Sequence, residues 1–328
     1  MIAIDLGFGY TKAYSRNRKI ILPSVIAPGQ KDDIDMFKNV GHLLEIKRPG
    51  DLNYMSMLVG ERAIKEGRAV QFSLDSKKFS KEASIMLALT AAYLAGVENQ
   101  VRLGIGLPIS TFKNKEYREE VARAFNRINC YIRVDNGPER YISFINTTCF
   151  PQGIGAMYSI QSLPQEGLVG LLDIGFFTTD LVLFEKDGDN IIPLKKYFRS
   201  VNLGVSRAIQ LFIDSFTDMT GEPLSLTEGI EVWNKGKITY RGEVMDIRTM
   251  IEQARNYAGK AISNAVNEAW VEKIHRLDHV YLSGGGALEL GTVIRETLPK
   301  AVLVDDPQFA NAMGFYKMLG LAASDKTA

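Results

Sequence analysis

The chain has 328 residues, of which 46% are hydrophobic and 23% charged; this excludes a disordered chain and allows two domains, each with its own core. Its 39 basic and 38 acidic side chains leave a net charge of +1, which argues against bulk electrostatic binding of nucleic acid. The two cysteines and three histidines do not have the spacing of a metal finger, and no apolar run is long enough to predict a membrane span. We therefore predict a reduced, cytoplasmic protein.

The first predicted element is an apolar strand that ends in an acid and a glycine turn, "MIAIDLGFGYTKAYS". The run "IAI" is typical of a buried central strand, and "TKAYS" has the pattern of a second strand. Gly7 and Gly9 lie between the two. We therefore predict a β-hairpin with Asp5 at the end of its buried strand.

Strand and helix patterns alternate over the rest of the first half. A helix is predicted within "SKEASIMLALTAAYLAG", capped by Ser80 and ending at Gly96, and a buried strand within "QVRLGIGLP". The stretch "KNKEYREEVARAFNRI" places Tyr117, Val121 and Phe125 on one helix face. A further helix is predicted within "PQGIGAMYSIQSL". We expect both cysteines, Cys130 and Cys149, to be small buried side chains on strands.

The hairpin pattern returns about half the chain length later, in "GLLDIGFFTTDLVLF". When the two copies are aligned, four identities fall in register: Asp5 with Asp173, Gly7 with Gly175, Phe8 with Phe176, and Thr11 with Thr179. A repeat at this distance predicts two similar lobes in tandem, not a short-period solenoid.

The last third combines a long helix, a glycine turn and a closing helix. The long helix is predicted within "DIRTMIEQARNYAGKAISNAVNEAWVEKIH", and the strand "HVYLSGGG" enters a glycine turn before a helical stretch near Leu288. Three glycines alone are equally typical of a dinucleotide-binding turn, an S-adenosyl-methionine loop and a structural bend. The closing helix, "PQFANAMGFYKMLGLAA", has Pro307 marking its start. Mixed strands and helices in two copies predict an α/β fold of two domains.

The two hairpin turns have the chemistry of an anion cradle. Gly7 and Gly9 allow backbone N–H groups to converge on a phosphate, with Tyr10, Thr11 and Lys12 close by. A carboxylate at the end of each buried strand suits a hydrated Mg²⁺, which proteins hold with one or two carboxylates. The alternative is an ordinary tight turn, but two such turns in register make it the weaker interpretation.

Five segments in order resemble the actin-like ATPase superfamily, in particular its plasmid-segregation (ParM/StbA-type) and archaeal actin-homologue branch. They are "DLGFGYTK", "PQGIGAMY", "LLDIGFFTTDLVLF", "YLSGGGALELG" and "PQFANAMGFYKM". The resemblance implies an actin-like two-domain fold, with duplicated ribonuclease-H-like lobes and a nucleotide cleft between them. Domain I would span residues 1–155 plus 309–328, with a small subdomain at about 30–80. Domain II would span 156–308, with a small subdomain at about 205–265.

The resemblance also implies roles for individual residues around ATP or ADP and Mg²⁺. Asp5 and Asp173 would hold the metal through water, and Gln152 would orient the attacking water in phosphoryl transfer. The residues expected to contact the nucleotide are Gly7, Gly9, Tyr10, Thr11, Lys12, Gly175, Thr178, Thr179, Gly284, Gly285 and Gly286.

The second turn departs from the family pattern. Many relatives have glycines where this chain has Phe176 and Phe177, so close backbone approach to a phosphate is in question there. Asp180 fits a common form of the loop, and an exposed strand carboxylate and a metal ligand are equally consistent with it.

The leading functional hypothesis is an ATP hydrolase whose nucleotide state controls assembly into filaments, for plasmid segregation or intracellular positioning. Its expected partners are other copies of the chain and a DNA-binding adaptor. An actin-fold module that binds nucleotide and docks a partner without polymerising is the alternative, and would show no critical concentration. A small-molecule kinase is the third hypothesis and predicts ATPase activity stimulated by an acceptor.

Overall fold

The computed structural model describes residues 1–16, 18–29, 40–67, 71–72, 79 and 81–324. The chain forms two compact units. Unit 1 contains Met1–Gln161 and Phe309–Ala328, and unit 2 contains Ser162–Gln308. The chain therefore returns to unit 1 for its last helix.

One large mixed sheet forms the centre of unit 1. Its strands are β1 (Ile2–Leu6), β2 (Tyr10–Ser15), β3 (Arg18–Pro23), β4 (Val25–Pro28), β5 (His42–Lys47), β6 (Met55–Val59), β7 (Gln71–Phe72), β8 (Asn99–Leu107), β9 (Asn129–Val134) and β10 (Arg140–Pro151). Their order across the sheet is β3-β2-β1-β8-β10-β9-β5-β6-β4-β7. Strand β8 is parallel to its neighbours β1 and β10, so these three strands end at the same edge.

A second sheet forms the centre of unit 2. The remaining strands are β11 (Glu166–Ile174), β12 (Thr179–Asp187), β13 (Asn190–Pro193), β14 (Arg199–Val201), β15 (Lys237–Tyr240), β16 (Glu243–Asp246), β17 (His279–Ser283) and β18 (Ala301–Leu303). The sheet has the order β13-β12-β11-β17-β18, with β14 also paired to β12, while β15 and β16 pair only with each other.

The two sheets share one central arrangement. In unit 1, β1 is antiparallel to β2 and parallel to β8. In unit 2, β11 is antiparallel to β12 and parallel to β17. Both predicted hairpins are therefore confirmed, and each lies beside a parallel strand from much later in the chain.

Helices pack on both sheets. They are α1 (Glu61–Glu66), α2 (Glu82–Leu94), α3 (Ile109–Phe112), α4 (Lys115–Asn126), α5 (Ile154–Ser159), α6 (Val205–Thr220), α7 (Leu226–Lys235), α8 (Arg248–Ala269), α9 (Gly285–Thr297) and α10 (Ala310–Ser324). Among these described helices, none combines the length and apolarity needed to cross a bilayer.

Several helix boundaries differ from the predicted ones. Helix α2 has Lys81 at its N-cap, and the predicted cap, Ser80, lies outside the described residues. Helix α5 covers only the middle of its predicted stretch. Helix α8 ends early because Trp270 turns into the core, where its ring is fully buried and its Nε1 donates to the Tyr197 carbonyl over 3.1 Å.

Helices α5 and α10 cross in backbone contact against the sheet of unit 1. A Cβ added at Gly314 would lie 1.7 Å from the Gly155 carbonyl oxygen, and one added at Gly155 would lie 2.2 Å from the Phe315 ring. Real Cβ atoms do not approach so closely, so both positions require glycine. Phe315 stacks on Phe150 of β10 at 5.7 Å and fixes the pair of helices to the sheet.

Both cysteines lie on strands, as predicted, but only Cys130 is as fully buried as expected. Cys130 on β9 is 1% exposed and Cys149 on β10 is partly buried. Burial raises the pKa of each thiol to about 12. Both are therefore weak nucleophiles.

Candidate functional site

The first glycine turn, loop 1 (residues 7–9), joins β1 to β2. Leu6 pairs with Thr11 across the hairpin, so the chain reverses within a few residues. A Cβ at Gly7 would lie 2.6 Å from the carbonyl oxygen of Tyr10 and 3.0 Å from Lys12 Nζ. Only glycine allows this tight turn.

Ser24, between β3 and β4, holds loop 1 in place with hydrogen bonds from outside the hairpin. Its backbone N–H donates to the Gly9 carbonyl over 2.9 Å, and its hydroxyl donates to the Gly7 carbonyl over 2.7 Å. The hydroxyls of Ser24 and Thr11 are 2.9 Å apart, and because the Ser24 proton is used, Thr11 is the donor. The loop carbonyls are thus fixed toward Ser24, and the fully buried Thr11 hydroxyl anchors the loop.

Asp5 is the next-to-last residue of the buried strand β1 and is only 5% exposed. Its Oδ1 accepts a hydrogen bond from Gln152 Nε2 over 2.6 Å. Its Oδ2 lies 3.6 Å from Lys12 Nζ, since Lys12 is its partner across the hairpin. The structure therefore brings three of the predicted site residues together within unit 1.

Gln152 lies just after β10 and two residues before α5. Its backbone N–H donates to the Leu107 carbonyl over 2.8 Å, which holds it at the edge where β8 ends. Gln152 therefore precedes the helix that was predicted within "PQGIGAMYSIQSL". Gly153 separates it from that helix because the chain needs φ 75° there, a conformation that favours glycine.

The second turn, loop 2 (residues 175–178), joins β11 to β12. Ile174 pairs with Thr179, and the Gly175 N–H donates to the Thr178 carbonyl over 2.8 Å. The Thr179 hydroxyl is fully buried and donates to the Leu203 carbonyl over 2.7 Å. Thr179 thus anchors loop 2 to a later segment, as Thr11 anchors loop 1.

The two phenylalanines of loop 2 leave its backbone in close contact with the start of α6. The Phe176 and Phe177 rings pack edge to face, with centroids 4.8 Å apart. The carbonyls of Gly175 and Phe176 accept hydrogen bonds from the first two N–H groups of α6, at 3.2 and 2.8 Å. A Cβ at Gly204 would lie 2.5 Å from the Phe176 oxygen, so the glycine needed for close approach lies at the start of α6.

Asp173 occupies in unit 2 the strand-end position that Asp5 occupies in unit 1. It is 8% exposed, and its Oδ1 accepts from the Ser283 hydroxyl over 3.1 Å. Asp180 faces Asp173 across the hairpin and is 2% exposed. The interpretation of Asp180 as an exposed strand carboxylate is therefore wrong.

The three glycines after β17 have different surroundings. A Cβ at Gly284 would lie 2.2 Å from the Ile174 carbonyl oxygen, and one at Gly286 would lie 2.5 Å from the Ile174 side chain. At Gly285 the nearest atom, on Gln308, would be 3.6 Å away. Helix α9 begins at Gly285, not near Leu288 as predicted, so two of the glycines form its first turn against the end of β11.

Tyr10 is the remaining predicted residue of loop 1, and it is 37% exposed. Partial burial of the ring, and then the nearby Glu61 carboxylate, raise the pKa of its phenol. Tyr10 therefore stays neutral near pH 7 and can act as a hydrogen-bond donor.

Sequence reasoning assigned no role to four residues that shape the site: Ser24, Gly204, Ser283 and Asn311. Ser24 bonds to loop 1, Gly204 packs on loop 2, Ser283 bonds to Asp173, and Asn311 bonds to the start of α5. Ser283 and Asn311 lie within the segments "YLSGGGALELG" and "PQFANAMGFYKM", but the pattern of those segments does not indicate these contacts. Sheet order and helix packing bring all four residues to their partners.

Two family models match the chain. Residues 3–155 match the N-terminal domain of actin-like proteins, and residues 171–296 match the C-terminal domain of the MreB-like archaeal actin homologue. The chain therefore belongs to the actin-like protein superfamily. A comparison with curated proteins found no match.

Solved structures agree with this assignment. A non-polymerisable quadruple mutant of pCBH ParM is 27% identical, with a TM-score of 0.83 over 98% of each chain. The subunit of a 15-stranded ParM filament from Clostridium botulinum is 26% identical, with a TM-score of 0.84 over 98% of each chain. An archaeal actin homologue, Ta0583, solved in complex with ADP, is 20% identical, with a TM-score of 0.79 over 98% of this chain and 99% of its own. The predicted actin-like two-domain α/β fold is confirmed.

Proposed function

We propose that this protein is an actin-like ATPase that binds Mg-ATP through loop 1 and loop 2 and assembles into filaments under nucleotide control. One observation carries the proposal: in each unit a buried aspartate lies near the end of the central strand, beside a glycine turn, and accepts a hydrogen bond from a neutral side chain. Gln152 holds Asp5, and Ser283 holds Asp173. These hydrogen bonds fix the position of each carboxylate, and Lys12 Nζ, 3.6 Å from Asp5 Oδ2, adds a positive charge beside loop 1.

The backbone of the two loops suits a polyphosphate. The carbonyls of Gly7 and Gly9 are bonded to Ser24, and those of Gly175 and Phe176 to the start of α6. Because these carbonyl oxygens already accept hydrogen bonds, they point away from a bound anion and do not repel it. The loop N–H groups and Lys12 attract the anion. Thr178 is the loop hydroxyl that we assign to direct phosphate contact, because those of Thr11 and Thr179 are used as anchors.

The acidic residues fit a magnesium ion that is held mainly by water and phosphate. No cluster of three or more metal-binding side chains occurs in the part of the chain that the structure describes. Mg²⁺ commonly needs only one or two carboxylates when nucleotide phosphates complete its shell, and Asp5 and Asp173 supply those. When bound, the ion would neutralise charge on the phosphates as the terminal bond breaks.

Gln152 would orient the attacking water. Its Nε2 donates to Asp5 Oδ1 over 2.6 Å, and among the described residues its Oε1 has no hydrogen-bond partner. A fixed amide oxygen can accept a hydrogen bond from water and so orient the lone pair of the water oxygen. Positioning of this kind is the main protein contribution to phosphoryl transfer.

The backbone of Gly284, Gly285 and Gly286 would lie beside the adenosine group of the nucleotide. The open space at Gly285, in contrast to the crowding at its two neighbours, makes it the position where a ligand can approach the α9 backbone. The ADP complex of the archaeal homologue supports nucleotide binding by this fold.

Filament assembly is supported by the relatives at 26 and 27% identity, one of which is itself a filament. We propose that the chain polymerises with copies of itself in the cytoplasm and moves or positions a plasmid through a DNA-binding adaptor. Head-to-tail contacts that do not close into a ring produce such polymers.

Phosphate release from Mg-ATP tests the enzymatic part of this proposal. We expect Asp173→Asn to abolish turnover while keeping the acceptor for Ser283, so that the fold is retained. Asp187→Asn is the matched control, because Asp187 is exposed at the far end of the same hairpin. Unchanged turnover in Asp173→Asn would contradict the assignment of this aspartate.

A further inference from the structure

Asn311, in the first turn of α10, caps a different helix from its own. Its side chain is 5% exposed, and its Oδ1 accepts hydrogen bonds from the backbone N–H groups of Gly153 and Ala156, at 3.0 and 3.1 Å. These N–H groups belong to the N-terminus of α5, where helical donors have no partner within the helix.

The cap acts directly beside Gln152. The Gly153 N–H is part of the peptide group that follows Gln152, and the Gln152 N–H is already bonded to the Leu107 carbonyl. Both peptide groups of Gln152 are therefore fixed, one by β8 and one by α10. Its carboxamide then reaches Asp5 from a backbone that has little freedom to move.

Helix α5 depends on this external cap more than a long helix would. It contains six residues, and helices of that length have little stability of their own in water. Asn311 reaches it because α10 and α5 touch at Gly314 and Gly155, and Asn311 lies three residues before Gly314, on the same face of α10.

We propose that Asn311 is a positioning residue that aims the Gln152 carboxamide for ATP hydrolysis. The inference rests on the proposed function. It adds that α10, the last helix of the chain, sets the hydrolytic geometry through a single side-chain oxygen.

The test is a double-mutant cycle of Asn311→Ala and Gln152→Ala, with kcat and KM for Mg-ATP measured on the full chain. Misplacing a catalytic group by about 1 Å costs roughly 100-fold, so we expect Asn311→Ala to lower kcat by tenfold or more. KM should change by less than about twofold, because no loop contact is removed. The double variant should be no slower than Gln152→Ala alone, because Asn311 acts through Gln152.

Two further variants separate positioning from stability. Asn311→Asp keeps the acceptor oxygen at a helix N-terminus, where a carboxylate is favourable, and should recover most of kcat. Asn114→Ala removes a comparable cap, in which Asn114 Oδ1 accepts from the Tyr117 N–H of α4 over 3.1 Å, and should leave kcat unchanged. Thermal unfolding of each variant reports the stability cost.

The possible outcomes separate this inference from the proposed function. An unchanged kcat in Asn311→Ala, an additive loss in the double variant, or no recovery in Asn311→Asp would each overturn the positioning role. Wild-type protein that releases no phosphate would overturn the proposed function, and the inference with it.

Discussion

Gln152 Nε2 donates to Asp5 Oδ1 over 2.6 Å, although the two residues lie 147 positions apart in sequence. Strands β1, β8 and β10 are parallel neighbours, so the ends of β1 and β10 meet at one edge of the sheet. The carboxyl edge of parallel strands is where α/β proteins commonly bind ligands. This contact links the residue expected to position water with one of the two acids expected to hold the metal.

Replacing Gln152 by alanine should separate hydrolysis from nucleotide binding. We expect kcat to fall about 100-fold, because water loses its positioning group. Affinity for a fluorescent ADP analogue should change by less than about twofold, because ADP binding needs no attacking water. Gln161→Ala, at an exposed glutamine outside the site, is the control. A normal kcat in Gln152→Ala would contradict the assigned role.

Replacing Ser24 by alanine should loosen loop 1. The change leaves the Gly7 carbonyl and the buried Thr11 hydroxyl without their partner, a loss of about 1–3 kcal/mol. We expect roughly tenfold weaker binding of ADP, because preorganisation of the loop is lost. Ser15→Ala is the matched control: Ser15 is equally buried on the same hairpin but donates to the Met1 carbonyl, away from the loop. Equal loss of affinity in both variants would refute a specific role for Ser24.

Alanine substitutions at Gly284 and Gly285 should lower the stability of the protein by different amounts. Gly284→Ala forces a Cβ to within 2.2 Å of the Ile174 carbonyl at a residue with φ 83°, and we expect it to lower the free energy of unfolding. The expected loss is about 3 kcal/mol. Gly285→Ala meets no close atom and should change stability by less than about 1 kcal/mol. Urea denaturation of both variants measures the difference, and similar losses would show that the crowding at Gly284 is not real.

The cysteines should resist alkylation in the folded protein. With the pKa of each thiol raised to about 12, only a very small fraction is thiolate at pH 8. The folded state keeps these protons while an unfolded chain begins to release them near pH 9, so iodoacetamide should label Cys130 and Cys149 rapidly only in denaturant. Rapid labelling of the native protein at pH 8 would contradict the burial of these side chains.

The sequence predicted the parts of the site that are local in the chain. An apolar run ending in an acid and a glycine turn predicts a hairpin without reference to any other segment, and both hairpins are confirmed. The match of Asp5 with Asp173 also predicted the equivalent strand-end positions of these acids.

What the sequence did not predict depends on contacts between distant segments. Ser24 and Asn311 act through hydrogen bonds to residues that only sheet order and helix crossing bring near. Asp180 was misjudged in part because strand alternation does not report whether a second layer covers the outer face of a strand. Helix α5 is shorter than its apolar pattern because its N-terminus is set by Gly153 and by a cap from α10.

Light scattering of the purified protein across a concentration series, after addition of Mg-ATP and with Mg-ADP as control, tests the central claim most directly. We predict a rise in scattering that needs ATP and appears only above a threshold concentration, because filament growth has a critical concentration. Absence of ATP-dependent scattering at every concentration, with ATP hydrolysis still detected, would contradict nucleotide-controlled assembly. It would instead favour a partner-docking module or a small-molecule kinase on the same fold.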